Sequence, residues 1–311
     1  MTTSEVTASQ LPRNFHPSGA SPQFILTLLP HNPCSGVLQM QYRVPDALCT
    51  PGHPLSLATA LALFDETSTV PMMLKDKSYR AGVSLSLTGD LHGDVYAGDT
   101  LLIETSATKP GKDIAFGACE MRNSVGDLVF IGRHVKYMPV LGKWWDVGVT
   151  PLFAPVFKRL FDWHTAQRME DPEVVAGISE GESLLDTFRW EGRSVDEGAD
   201  GPVVTVDSQG TIRIQPRHWN FFKTCHGGAV SIAAEAVAQR GVSYFEQQRN
   251  IKGMRARSME VLYLAPQTGS SDVSARFREE AWEIGRGFST VGIGGTPGRE
   301  AARAKITWVT G

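Results

Sequence analysis

The chain of 311 residues has few features of membrane, secreted or nucleic-acid-binding proteins. It contains no apolar run of about 18 residues, the length that a membrane-spanning helix requires. Its 30 basic and 33 acidic residues give a formal net charge of −3, which excludes nucleic-acid binding through bulk positive charge. The N-terminal segment MTTSEVTASQLPRNFHPSG has no apolar core, so it is not a secretory signal. We therefore expect a soluble, cytoplasmic protein without stable membrane insertion, with a mitochondrial location as the alternative.

Cysteine is also scarce, and its spacing excludes two further classes of protein. The four cysteines, Cys34, Cys49, Cys119 and Cys225, show no CxxC or CxxxC spacing. Disulfide frameworks and zinc sites depend on such closely spaced cysteines. We expect reduced, mostly buried thiols in an intracellular protein, with no metal site and no cofactor.

The first half of the chain has the pattern of a hairpin, a helix and four strands. Residues 24–29 and 36–43 are short apolar runs on either side of the turn sequence Pro30-His31-Asn32-Pro33, as in a hairpin. Residues 55–74 are rich in Ala and Leu with almost no polar face, which predicts a buried helix with Asp65 in its middle. Four strand-like segments follow, with good turn sequences between the last three.

The second half repeats this order, which makes the fold class α+β with an internal repeat. A hairpin is predicted around Ser208-Gln209-Gly210, followed by a buried helix from His226 to about Phe245. Four strand-like segments then complete the chain. The two halves differ in residues but match in the order and spacing of their elements.

Composition divides the chain into four parts. The segment between the halves contains an amphipathic helix at 151–164, behind Pro151, and is otherwise polar and loop-like. We expect this helix to pack on the repeats; a lid over a pocket and an interfacial membrane helix are the alternatives. The four parts are a flexible arm (1–20), an N-terminal domain (21–140), a connector (141–200) and a C-terminal domain (201–311).

The candidate site begins at the second helix, where Asn220 is followed by His226-Gly227-Gly228 and then by Glu235. The free N–H groups and the positive dipole end of a helix N-terminus can hold an oxyanion. Gly227 and Glu235 are eight residues apart, which is roughly 12 Å along a helix axis. A Glu side chain does not bridge that distance, so any acid beside these N–H groups must come from another part of the protein.

The spacing of Asn, His-Gly-Gly and acid resembles that of acyl-CoA thioesterases of the phenylacetate-pathway type, in the thioesterase superfamily. The first half resembles the same family at FDETST (64–69), GVSLSL (82–87) and GRHVKY (132–137). This resemblance implies two hotdog domains in tandem, each a curved antiparallel sheet wrapped around one long central helix, which together form a pseudo-dimer. The resemblance covers both repeats but not the connector.

In this family each active site lies across the interface of two hotdogs. The resemblance implies one composite site, with Asn220 and Gly227 from the second repeat and Asp65 and Ser84 from the first. The site of opposite composition is degenerate: Thr50 replaces the Asn, Ser56-Leu57-Ala58 replace His-Gly-Gly, and Ala256 replaces the Ser opposite Glu235. We therefore expect one working site, with Glu235 and Ser56 in the degenerate one.

The resemblance also implies roles for these residues. The Gly227 N–H polarises the thioester carbonyl, and Asp65 acts either as a general base or as a nucleophile. Asn220 orients water or the carbonyl, Ser84 assists the carboxylate or water, and His226 braces the turn that ends in Gly228. A thiol mechanism through Cys225 is disfavoured because adjacent residues point in different directions.

The implied activity is hydrolysis of an acyl-CoA to the free acid and CoA. Hydration or dehydration of an enoyl-CoA is one alternative, and a non-catalytic acyl-CoA-binding or scaffold protein is another. The CoA phosphates would require cations. The candidates at hairpin turns and strand starts are Arg286, Arg255, Arg257, Lys109 and Lys112. Members of this family commonly stack their hotdog pairs back to back. The resemblance therefore allows a homodimer of double hotdogs, which would be a pseudo-tetramer.

Overall fold

The structure of this chain is a computed structural model. It describes residues 5–7, 25–28, 37–75, 82–108, 113–138, 190–197, 206–213, 218, 224–249, 252–266, 272–283, 285–294 and 299–310. The predicted helix at 151–164, Asn220, Lys109 and Lys112 lie outside the described residues.

The described residues form thirteen strands, two long helices and one 3₁₀ turn (Asp46–Leu48). The helices are α1 (Leu57–Lys75) and α2 (Gly227–Arg249). The strands are β1 (Glu5–Thr7), β2 (Ile25–Leu28), β3 (Val37–Arg43), β4 (Val83–Leu91), β5 (Thr100–Thr108), β6 (Ile114–Arg122), β7 (Leu128–Tyr137), β8 (Trp190–Glu197), β9 (Val206–Arg213), β10 (Met254–Tyr263), β11 (Asp272–Glu283), β12 (Arg286–Ile293) and β13 (Ala302–Thr310).

All the described strands belong to one antiparallel sheet in the order β1-β2-β3-β5-β6-β7-β4-β10-β13-β12-β11-β9-β8. The halves join where β4 pairs with β10, from Ser258 opposite Asp90 to Leu262 opposite Ser86. Read outward from this junction, the order is β4-β7-β6-β5-β3 on one side and β10-β13-β12-β11-β9 on the other. The four predicted strands of each half are therefore confirmed, and so is the hairpin of β2 and β3.

The two helices lie against the inner face of the sheet and against each other. A helix that is apolar on all sides is stable only when it is buried all round, and Ala58 to Phe64 are all at most 1% exposed. The helices approach so closely that a Cβ on Gly228 would lie 2.7 Å from the Cα of Ala62. The strands contribute the inward side chains of Phe130, Tyr42 and Trp308, which are also buried.

One prediction about the second half was wrong, and strands also form in two segments that were expected to be loop-like or flexible. Val206–Arg213 is one continuous strand through Ser208-Gln209-Gly210, where a turn was predicted, because Gly210 pairs with Gly192 on one side and Ala275 on the other. Its hairpin partner is Trp190–Glu197, which was assigned to a polar, loop-like connector. Glu5–Thr7, assigned to a flexible arm, pairs with Ile25–Leu28 at the edge of the sheet. In each case pairing with a distant strand outweighs the local composition.

Candidate active site

The Asp65 carboxylate lies where α1 meets the N-terminus of α2. Its side chain is fully buried (0% exposed). The backbone N–H of Gly228 donates to Asp65 Oδ2 at 2.8 Å, although the two residues are 163 positions apart in the chain. The N–H groups of the first helical turn have no intrahelical acceptor, so a carboxylate from another helix is a favourable partner for them.

Ser84 and His134 approach the other oxygen of the Asp65 carboxylate. The Ser84 hydroxyl donates to Oδ1 at 3.2 Å, and His134 Nε2 lies 3.0 Å from Ser84 Oγ and 3.3 Å from Oδ1. Because the Ser84 proton is directed at the carboxylate, its oxygen accepts from the Nε2–H of His134. His134 Nδ1 lies 2.8 Å from Ser68 Oγ, and the Ser68 hydroxyl also donates to the Asp65 carbonyl at 3.3 Å. Both ring nitrogens of His134 thus have a hydroxyl partner.

Lys136 supplies a buried positive charge to the same carboxylate. Its Nζ lies 3.4 Å from Asp65 Oδ1 and donates to Thr69 Oγ1 at 2.6 Å. His134 and Lys136 are two residues apart on β7, so strand alternation directs both side chains to the inner face. Both are buried, at 1% and 3% exposure.

His226 immediately precedes α2 and connects Asp65 to its sequence neighbour. Its Nδ1 lies 3.2 Å from Asp65 Oδ2, and its Nε2 lies 3.3 Å from Glu66 Oε1. The backbone N–H of His226 donates to the carbonyl of His218 at 2.8 Å, which fixes the chain where it enters the helix. The backbone of His226 thus holds the entry to the helix, while its ring contacts the Asp65 carboxylate and accepts from the Gly228 N–H at 3.1 Å.

Gly227 lies so close to the carboxylate that no other residue fits there. A Cβ at this position would be 2.6 Å from Asp65 Oδ2 and 2.7 Å from Ser84 Oγ. The Tyr263 hydroxyl donates to the Gly227 carbonyl at 2.8 Å, and the Ser231 hydroxyl donates to it at 3.2 Å. Two hydrogen bonds therefore hold the Gly227 carbonyl in place.

The surrounding charges keep Asp65 ionised. Burial raises the pKa of this carboxyl, but a larger opposite effect comes from Lys136, His226, His134 and the Gly228 N–H. The net pKa therefore lies well below the usual range. Burial lowers the pKa of His134 to about 3 despite the opposing effect of Asp65, so this ring is neutral at neutral pH. The site thus presents a carboxylate ion beside a neutral imidazole and an N-terminal helix turn.

Glu235 occupies the equivalent place in the other half but in different surroundings. The Ala58 N–H donates to Glu235 Oε2 at 2.5 Å, as the Gly228 N–H does to Asp65. Burial raises the pKa of Glu235 to about 7, while hydrogen bonds from Ala58, Ser56 and Gln239 oppose that rise.

The strands show why the two carboxyls differ. Both β4 and β10 have a one-residue bulge, between Ser84 and Ser86 and between Ala256 and Ser258, which aligns Ser84 with Ala256. Ser84 pairs with Lys136 and Ala256 pairs with Trp308, so Trp308 stands where the first half has Lys136. By the same register Ile306 replaces His134. None of the polar partners of Asp65 has a polar counterpart on these strands.

The structure separates some of the predicted CoA-binding residues from Asp65. Arg255 and Arg257 contact Asp94 at 2.9 Å and 3.5 Å. Both arginines lie at the end of β10 that carries Ala256. The opposite end of β10, at Leu262, pairs with Ser86, which is close to Ser84 on β4. Arg286 is exposed at the start of β12.

Sequence reasoning brought Asp65, Ser84 and Gly227 to one site but did not assign His134, Lys136 or Tyr263 to it. The signal for the first two was present, because GRHVKY places two polar residues at inward positions of a strand whose other inward residues are apolar. Tyr263 gave no such signal, since its part depends on the pairing of β10 with β4. Burial raises the pKa of Cys225 to about 12, which is contrary to a thiolate nucleophile.

Neither a candidate metal site nor a candidate membrane-spanning helix is found in the part of the chain that the structure describes. It contains no group of three or more His, Cys, Asp or Glu residues arranged to hold a metal ion. Among these same residues, no helix is long and apolar enough to cross a membrane.

Solved structures with the same fold are hotdog proteins and thioesterases. The tesB protein of Mycobacterium avium subsp. paratuberculosis is similar with a TM-score of 0.55 and 10% identity, over 91% of this chain and 95% of that one. A hot dog fold protein of unknown function from Alicyclobacillus acidocaldarius gives 0.53 and 12%, over 88% and 93%. An acyl-ACP thioesterase from Bacteroides thetaiotaomicron gives 0.51 and 10%, over 89% and 100%.

These likenesses define the fold as the hotdog fold, in agreement with the large antiparallel sheet and its central helices. No protein-family model matches the chain. No curated protein matches it either. The structural neighbours are thus alike in fold at low sequence identity.

Proposed function

We propose that this protein is an acyl-CoA thioesterase built from two hotdog domains in tandem, with one composite active site between them. The single observation that carries the proposal is the meeting of Asp65 with the first turn of α2. A carboxylate from one half and a glycine helix N-terminus from the other come together, with Ser84 in contact with the carboxylate. Thioester hydrolysis requires those two parts: an ionised oxygen to promote the attack and N–H donors to stabilise the oxyanion.

The backbone of α2 provides the oxyanion donor. Gly227 is the first residue of α2, so its N–H has no intrahelical acceptor and can donate to the thioester oxygen. The neighbouring Gly228 N–H is already directed at Asp65. Asn220 is proposed to add a second contact to the carbonyl or to water.

Asp65 promotes the attack. In the general-base route, a water held between Asp65 and Ser84 attacks the carbonyl carbon, its proton passes to Asp65, and the CoA thiolate leaves and takes up a proton. In the nucleophilic route, the carboxylate itself attacks the carbonyl carbon and expels the CoA thiolate, which takes up a proton. Water then attacks the Asp65 carbonyl carbon of the mixed anhydride and releases the free acid. Single turnover in H₂¹⁸O distinguishes the two routes, because only the nucleophilic route transfers ¹⁸O into the Asp65 carboxylate.

The decisive test compares the two carboxyls at equivalent positions. Asp65→Asn should lower the release of free CoA thiol by roughly 10²- to 10⁴-fold, the usual contribution of a positioned acid or base. Glu235→Gln is the matched control, since it alters the corresponding carboxyl of the other half and should retain most of the activity. Equal losses in both variants would contradict a single composite site. A series of acyl-CoAs of graded chain length then identifies the acyl group.

One observation supports a second candidate function. The surroundings of Glu235 lack the polar set that surrounds Asp65, which is compatible with a protein in which neither carboxyl is catalytic. Such a protein would bind acyl-CoA tightly without releasing free CoA.

Hydration of crotonyl-CoA, assayed in parallel with thiol release, tests the enoyl-CoA alternative.

A further inference from the structure

We propose that Lys136 is a positioning residue that holds the Asp65 carboxylate in its ionised form and thereby sets the acid limit of activity. This inference rests on the proposed thioester hydrolysis at Asp65. It assigns a function to a buried cation that the catalytic steps above do not use.

The contacts of Lys136 hold its ammonium group in one place. Nζ donates to Thr69 Oγ1 at 2.6 Å, and the same hydroxyl donates to the Asp65 carbonyl at 2.6 Å. The hydroxyl proton is therefore used, and the oxygen of Thr69 serves as the acceptor for Nζ. This arrangement brings Nζ to 3.4 Å from Asp65 Oδ1. A lysine that is only 3% exposed is stable as a cation only beside a carboxylate of this kind.

The second half of the molecule shows the same carboxyl position without a lysine. Glu235 receives a helix N-terminal N–H from Ala58, as Asp65 does from Gly228. Trp308 replaces Lys136, and its indole N–H donates to Ser289 Oγ at 2.8 Å rather than to a carboxylate. The pKa of Glu235 is raised, whereas that of Asp65 is lowered. The helix N–H is thus insufficient to keep a buried carboxyl ionised. The charged groups around Asp65, Lys136 first and His226 second, lower its pKa.

The other groups that face Asp65 do not replace Lys136. On β4 the contact is the uncharged Ser84, and on β7 His134 is neutral because burial lowers its pKa to about 3. On β10 Tyr263 is a half-buried phenol whose pKa is raised by desolvation. Just before α2, His226 lies between the carboxylates of Asp65 and of Glu66 on α1, and it lowers the pKa of Asp65 less than Lys136 does. Lys136 is therefore the group that we expect to contribute most to the ionisation of Asp65.

The test removes the charge and measures the titration of Asp65 directly. Lys136→Met keeps most of the length of the side chain without its charge. Selective ¹³C labelling of aspartate carboxyls, with Asp65→Asn to assign the signal, should show the midpoint of the Asp65 titration rising by at least about one pH unit. The acid limb of the pH–rate profile should move in the same direction, while kcat at alkaline pH stays near that of the wild-type protein.

Conservative and control variants separate charge from packing. Lys136→Arg should restore the wild-type titration, whereas Lys136→Gln, which keeps a donor for Thr69, should not. Lys136→Gln also serves if the Met variant does not fold. Lys305→Met removes an exposed lysine of β13 and should leave both readouts unchanged.

Two results overturn the proposal: an unchanged Asp65 titration in Lys136→Met or Lys136→Gln, or a loss of kcat that is equal at every pH. The NMR titration does not depend on turnover. If the wild-type protein releases no thiol while the Asp65 midpoint still responds to Lys136, the proposed function fails and the electrostatic role of Lys136 stands.

Discussion

Replacing Glu235 by Gln should remove a pH dependence of folding stability that arises at this buried carboxyl of α2. Glu235 is 2% exposed, and burial raises its pKa from 4.5 to about 7 in spite of hydrogen bonds from Ala58, Ser56 and Gln239. The substitution keeps the shape of the side chain and an oxygen that can accept from the Ala58 N–H. It removes only the ability to ionise.

The sign of the effect follows from which state loses its proton first. As the pH rises above 4.5, the unfolded chain releases the Glu235 proton while the folded protein still holds it. The contribution of Glu235 to the free energy of unfolding is thus fully present below its unfolded pKa of 4.5 and is lost as the pH rises towards about 7. A difference of about 2.5 pH units corresponds to a loss of up to about 3 kcal/mol in the free energy of unfolding.

Urea denaturation of both proteins at pH 5, 6, 7 and 8 measures this loss. The wild-type free energy of unfolding should fall relative to that of Glu235→Gln over this interval and then level off above pH 7. Other titrating groups are common to both proteins, so the difference isolates Glu235, and Asp65 is silent because its pKa lies below this range in both states. A difference that is constant with pH, or that grows in the opposite direction, would refute the assignment of a protonated, buried Glu235.

Three further substitutions test the geometry of the candidate site. Gly227→Ala should abolish thiol release with little loss of helix content by circular dichroism, because the added Cβ would collide with Asp65 Oδ2 at 2.6 Å. Ser84→Ala removes a hydroxyl that contacts both Asp65 and His134 and should lower kcat roughly 10- to 100-fold, with a smaller change in KM, if it assists the attacking group. Cys225→Ser should retain activity in the same thiol-release assay, since a thiol with a pKa of about 12 is not a nucleophile at neutral pH.

Most of the fold could be predicted because its signals are local. The segments of β5, β6 and β7 are strand-like in the sequence and have turn sequences between them. In the structure their residues alternate largely between buried and more exposed positions. The Ala- and Leu-rich run that became Leu57–Lys75 identifies a buried helix. The second helix was predicted to end about four residues before its observed end at Arg249.

The errors arose where pairing with distant residues decides the structure. Ser208-Gln209-Gly210 has the composition of a turn, yet these residues lie between two strands and pair with both. The polar segment Trp190–Glu197 has little strand signal of its own and is a strand because β9 offers it a free edge. Neither outcome can be read from a window of neighbouring residues.

The candidate site was predictable in part for the same reason. The helix rise of about 1.5 Å per residue already separates Gly227 from Glu235, which requires an acid from elsewhere. Asp65 then followed from the resemblance of the two halves. Lys136 did not, because its importance lies in an ion pair between β7 and α1 that sequence spacing does not encode.

The two halves place a buried carboxyl in two different electrostatic surroundings. Asp65 and Glu235 have the same helix position and the same N–H partner, so those features do not explain their opposite pKa shifts. The difference lies in the surrounding groups: on the strands Lys136 is matched by Trp308, and at the start of α2 His226 also lowers the pKa of Asp65. Tryptophan fills that volume with apolar surface, which stabilises the core and favours the neutral form of a nearby acid. Under the proposed single-site function, only the half that carries Asp65 requires the charged set, so the equivalent positions of the other half can be apolar core.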